Sequence, residues 1–157
     1  MAEHLTNKTK VFISTNAVAA TVDTVQEFAA LAYTEVVNVF DLGEFGDAFN
    51  AVETSSLREG RVKRLKGRVD GGQLELIVNR DASDAGQTKL AEAAKSPFDY
   101  AVKIVLPDAV TESGEGTTFY FKAAILGGRT SFGEADNIAR TTWTLAINSD
   151  RYEVAAD

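Results

Sequence analysis

Two pairs of carboxylates, Glu44 with Asp47 and Asp81 with Asp84, are the residues of this chain best spaced for chemistry. A glycosidase-like pair needs one carboxyl in an apolar niche, where desolvation raises its pKa and lets it act as an acid. Both pairs lie instead in segments that read as a Gly-rich loop or a helix start, where solvated acids and N-caps are the ordinary roles. The run DASDAG does not keep the alternating oxygen ligands of a calcium loop. There is no cysteine, and the one histidine, His4, sits in a polar N-terminal stretch. Disulfides, Cys-ligated zinc and a thiol nucleophile are therefore excluded, and a Ser/His/Asp triad would require the tail to fold back into a pocket. The glycines form neither a dinucleotide fingerprint nor a P-loop. The expectation is a protein with no cofactor and no metal that is not an enzyme.

Charge distribution carries more information. The net charge is −7, yet Arg58, Arg61, Lys63, Arg64, Lys66 and Arg68 place six of the sixteen bases within eleven residues, opposed only by Glu59. Upstream, Asp41, Glu44, Asp47 and Glu53 form an acidic stretch without a base. Three readings stay open for the basic strand: nucleic-acid binding, a solvated face, or contact with an acidic loop on another copy of the chain. The first lacks interleaved aromatic platforms, and the third follows from charge complementarity. Phe40, Phe45 and Phe49 lie in or beside the same loop, either tucked onto the chain's own core or anchoring a neighbour.

These residues are positioned by a mostly β chain. At 157 residues, with 45% hydrophobic and 25% charged residues, the sequence suits one domain, 1–157, with a core of its own. No apolar run approaches a membrane span, and residues 1–10 read as a flexible arm. Val11 to Ile13 reads as a strand, Asp23 to Leu31 as one or two helical turns, and Thr34 to Phe40 as a valine-rich strand. Residues 41–60 read as a long loop with room for a loosely formed hairpin, of a length that usually carries function. Val62 to Val69 and Gln73 to Asn79 flank Asp70-Gly71-Gly72 and read as a hairpin. A helix over about 84–95 starts at Ser83 or Asp84 and stops at Ser96-Pro97. Tyr100 to Leu106 and Phe119 to Ile125 alternate around the acidic loop 107–117, a second hairpin with a mobile tip. Ile138 to Asn148 is a two-faced strand with Thr141, Trp143, Leu145 and Ile147 on one side, and 150–157 is a tail. The fold class is α+β, mainly β: an antiparallel sandwich or barrel-like fold of six or seven strands with one flanking helix.

The order of the DLGEFG loop start, LKGRVDGGQLEL, RDASDAGQTKLAEAA, GTTFYFKAAILG and NIARTTWTLAINSD resembles the tail tube (major tail) proteins of long-tailed bacteriophages, over roughly residues 20 to 150. The resemblance implies a β-sandwich whose copies form hexameric rings, with one sheet lining a channel. Those rings stack into the tube that conducts double-stranded DNA, which passes without specific binding. It further implies that 41–60 reaches the next ring, joined there by His4 to Lys10 and Arg151 to Asp157. Asp41, Glu44, Phe45, Asp47, Phe49, Arg58, Arg61, Arg64 and Lys66 are then the candidate contacts between copies. Tape-measure, tail-tip and tail-terminator proteins would be the other partners, with no membrane. The location implied is the tail of a virion, after synthesis in the host bacterial cytoplasm. Because the chain stops soon after its last strand, no C-terminal immunoglobulin-like domain is expected. Glu75, Lys103, Thr142 and Thr144 are candidates for the channel wall. The rival readings are the tube of a gene transfer agent, contractile particle or type VI secretion machine, and a small acidic cytoplasmic module binding through 107–117.

Overall fold

The structure, a computed structural model, describes every residue except 1–4, 6, 20 and 59; His4 and part of the N-terminal arm thus lie outside the described residues. In chain order the elements are β1 (Lys10–Ser14), α1 (Val25–Ala29), β2 (Tyr33–Val36), β3 (Val39–Asp41), β4 (Ala48–Ser55), β5 (Val62–Asp70) and β6 (Gln73–Asn79). They continue with α2 (Ala85–Lys95), β7 (Tyr100–Val105), β8 (Thr118–Ser131), β9 (Arg140–Ile147) and β10 (Tyr152–Val154).

Seven strands form one antiparallel sheet in the order β2-β1-β7-β8-β9-β6-β3, with β10 added along β8, while β4 and β5 pair only with each other. The sheet does not close into a barrel: β2 and β3 stand at its two ends although only Val37 and Asn38 separate them in the chain. The break comes at Asn38, whose φ of 60° is one that asparagine tolerates better than valine does. One valine-rich strand is thereby split into two edge strands.

Alternation selects the inner face. Leu74, Leu76 and Val78 of β6 are buried together with Trp143, Leu145 and Ile147 of β9, and Leu90 and Ala93 of α2, which packs over β8 and β2, join the same core. Asp84 caps α2 by accepting from Gly86 N–H at 3.0 Å. The helix lies close to β2: a Cβ on Gly86 would collide with the Glu35 carbonyl oxygen. The opposite face is covered only in part. There α1 turns Phe28 onto Tyr120 and Tyr152, and a capping box between Thr24 and Glu27 fixes its start. Hydrogen bonds, first from the Asp23 backbone, hold the Glu27 carboxyl below its ordinary pKa.

Four expectations are corrected. The Asp70-Gly71-Gly72 turn does not close a hairpin: β5 pairs with β4, and β6 pairs with β9 and β3. β6 has an apolar face to bury, whereas almost every β5 residue is exposed, so burial draws one into the sheet and leaves the other out. Residues 41–60 are not loop throughout, because Ala48–Ser55 is an eight-residue strand without a buried face, which hides its period. The tail is not loose either. β10 pairs with β8, and the Asp157 carbonyl accepts from Val110 and Thr111 N–H. The 107–117 tip is held from both sides, since Asp108 also accepts from the Thr117 N–H and hydroxyl, both at 2.6 Å.

Candidate assembly surface

The β4–β5 ribbon begins where the chain leaves the sheet after β3. Asp41 accepts from Gly43 N–H at 2.8 Å, turning the backbone at a glycine with φ of 69° that passes close to the Glu75 backbone. Leu42 and Phe45 then pack against the core. The Phe45 ring meets Phe121 at 5.5 Å and stands edge-on to Phe119 at 5.7 Å, with the Arg151 guanidinium 5.7 Å from its centre. Phe45 therefore belongs to this chain's own packing, while Glu44 and Asp47 beside it stay in solvent. On the return strand, Gly72 N–H reaches Asp70 at 2.9 Å and the Gly72 carbonyl accepts from Ile147 N–H at 3.0 Å. The base of the ribbon is thus anchored at both strands.

Beyond that base every described residue of the ribbon except Gly67 is exposed. One face carries Phe49, Ala51 and Glu53 opposite Val69, Lys66 and Arg64, and the other carries Val52 and Thr54 opposite Leu65 and Lys63. A bulge at Gly67-Arg68 shifts the register, and a Cβ on Gly67 would lie 2.9 Å from both the Asn50 carbonyl oxygen and the Val52 side chain. Lys66 extends over the Phe49 ring at 5.1 Å, and Arg64 pairs with Glu53 at 3.1 Å across exposed surface. The tip turns through Gly60 (φ 60°), whose N–H bonds to the Ser56 carbonyl, and presents Leu57, Arg58 and Arg61 outward.

Exposure is what sets this element apart. Phe49 is 53% exposed and Leu57 107%, and Val52, Val62, Leu65 and Val69 are all exposed too. An isolated two-stranded hairpin is marginal in water, and an apolar one is an aggregation hazard unless it is covered. The structure gathers Phe49, Arg58, Arg61, Arg64 and Lys66 on the ribbon, puts Asp41, Glu44 and Asp47 at its base, and turns Phe45 inward.

A second exposed apolar group joins Phe40 to two residues that sequence reasoning did not single out, Phe132 and Ile138. Phe40 of β3 lies under the Arg140 guanidinium at 4.0 Å, and Phe132 and Ile138 of the turn between β8 and β9 border the same shallow recess of about 350 Å³. The signal in the sequence was an apolar residue on each side of the turn GEADN, Phe132 and Ile138. Of the channel-wall candidates, Glu75 pairs directly with Thr144, and Thr142 lies one pair further along the face turned away from α2. Lys103 stands over Phe12 at 5.3 Å and near the Tyr33 and Tyr120 rings.

The remaining candidates for chemistry are accounted for structurally. Hydrogen bonds, first from Ser83 and then from Asn38, hold the Asp81 carboxyl below its ordinary pKa, so it stays a carboxylate. Asp84 is consumed by the helix cap and by Val37 N–H at 3.1 Å. Among the described residues no group of three or more His, Asp or Glu side chains is placed to hold a metal ion, and no helix is long and apolar enough to cross a membrane.

No family model and no curated protein sequence matches the chain. Solved structures do. A chain of the six-fold symmetrised baseplate of the anti-feeding prophage superposes with a TM-score of 0.73 at 11% identity, covering 100% of this chain and 99% of that one. A chain of the sheath/tube terminator of the PVC extracellular contractile injection system gives 0.70 at 12% identity, covering 99% of both. The SPP1 tail tube protein gives 0.65 at 14% identity, covering 95% of this chain and 78% of that one. The chain has the tail-tube fold, as its resemblance to phage tube proteins implied.

Proposed function

We propose that this chain is a structural tube subunit that forms hexameric rings, which stack through the β4–β5 ribbon into a phage tail tube conducting DNA. The observation that carries the reading is that ribbon: anchored at its base, exposed on both faces, apolar and basic, and carried on a tail-tube fold. A monomer gains nothing from such an element, whereas a copy set end to end against it buries its apolar side chains. The channel wall is the face bearing Glu75, Thr142 and Thr144. An acidic chain suits a conduit that must not hold its cargo, because like charge repels phosphate. The whole chain serves as one domain with no catalytic role, located in the tail, where its ends meet tape-measure, tip and terminator proteins.

The test is negative-stain electron microscopy of the purified protein over a concentration series, with light scattering to count subunits. Rings and hollow tubes are the expected result, and a strict monomer under every condition would overturn it. A second reading, the ring of a contractile injection particle's terminator or baseplate, is favoured by the near-complete overlap with those chains. It predicts rings that never lengthen into tubes.

A further inference from the structure

The ribbon and the Phe40–Phe132–Ile138 patch sit at opposite ends of the same strand. The ribbon's base meets the sheet at Gly72 and Gln73, where β6 begins, and the patch lies beside Asn79 and Arg140, where β6 ends. Seven residues of strand separate the two ends, roughly 20 Å. An element projecting from one end and a recess open at the other make a head-to-tail pair, which repeats indefinitely when copies are set in line.

The chemistry matches as well. The ribbon tip presents Leu57, the most exposed large apolar side chain among the described residues, next to Arg58 and Arg61. The patch offers three large apolar side chains that are 56%, 68% and 58% exposed, Phe40, Phe132 and Ile138. Between the last two, the turn carries Glu134 and Asp136 and no base. The positive charge of Arg140 is already directed onto the Phe40 ring and the Asn79 amide oxygen. The turn is built rather than loose: Gly133 adopts φ 61° and Asn137 N–H bonds to the Glu134 carbonyl.

We infer that the recess formed by Phe40, Phe132 and Ile138 is the receptor for the ribbon tip of a second copy. Leu57 seats in the recess, and Arg58 and Arg61 face Glu134 and Asp136. This rests on the tube reading and names the surface that the ribbon engages. An eight-residue β4 spans roughly 25 Å, so the tip reaches well beyond its own sheet to a copy stacked against it.

The absence of cysteine makes the test direct. Assembled Leu57→Cys/Ile138→Cys protein, oxidised and run without reductant, gives a ladder of covalent multimers, while Leu57→Cys paired with Val110→Cys does not. In assembled tubes of the Ile138→Cys variant the thiol is shielded from maleimide at least tenfold relative to the unassembled chain. Glu134→Lys/Asp136→Lys raises the concentration needed for assembly roughly tenfold, and adding Arg58→Glu/Arg61→Glu restores it. Tubes that form without the ladder, and in which the thiol of the Ile138→Cys variant labels freely, overturn this surface while leaving the tube reading intact. A wild-type chain that never assembles overturns the tube reading itself, and this inference with it.

Discussion

One carboxylate oxygen of Asp84 accepts the N–H of Val37 at 3.1 Å while the other accepts the free N–H of Gly86 in the first turn of α2. A single buried side chain thereby ties the helix to the crossover between the two edge strands of the sheet. Asp84→Ala removes both bonds and leaves the Val37 and Gly86 donors without their partner. The expected cost is about 2–4 kcal/mol in urea denaturation, with Asp84→Asn recovering part of it.

Phe45 and Phe49, four residues apart, separate fold from assembly. Phe45 packs on Phe119 and Phe121, so Phe45→Ala should lower monomer stability by about 2–3 kcal/mol. Phe49→Ala removes an exposed ring and should leave the denaturation midpoint nearly unchanged while weakening tube formation. Unfolding of the dissociated chain and sedimentation of the assembled one measure the two effects separately.

Charge reversal at Arg61 and Arg64 should block tube growth and spare the fold. The Arg64–Glu53 pair is exposed on both sides and contributes at most about 1 kcal/mol within the chain. Circular dichroism is expected to match wild type while scattering shows no growth. Tubes of normal length would refute a role for these cations between copies.

Alkaline pH should loosen the packing around α1. The Tyr33 hydroxyl donates to the Phe28 carbonyl at 2.7 Å, and burial, with Tyr120 adding to it, raises its pKa well above the ordinary 10. Above pH 10 the unfolded chain therefore releases a proton that the folded chain keeps. The resulting stability is intact below pH 10 and is lost as pH rises toward the folded value. Tyr33→Phe should cost about 1 kcal/mol at neutral pH and make the fall in Tm above about pH 10 shallower. Tyr120 and Tyr152, also raised by burial, leave a residual slope.

Local chemistry and buried faces are written into the sequence and could be read from it. The alternating residues of β6, β7, β8 and β9 showed which side chains face the core, because each strand has one wet and one dry side. Val25, Phe28 and Ala29 at helical spacing, and Asp84 before an alanine-rich run ended by Ser96-Pro97, marked the two helices, because period, caps and stops act within a turn. The basic run 58–68 was equally plain. Pairing that competes over distance was settled only in the folded chain. Gly71-Gly72 fitted a hairpin turn, but β6 gains its burial against β9, some seventy residues on, and β5 is left to the strand before it. The same competition drew Phe45 inward, left Phe49 out, joined the tail to β8, and brought Phe40 under Arg140, a hundred positions away. Each of these depends on which surfaces meet when the whole chain collapses, and no window of neighbouring residues records it.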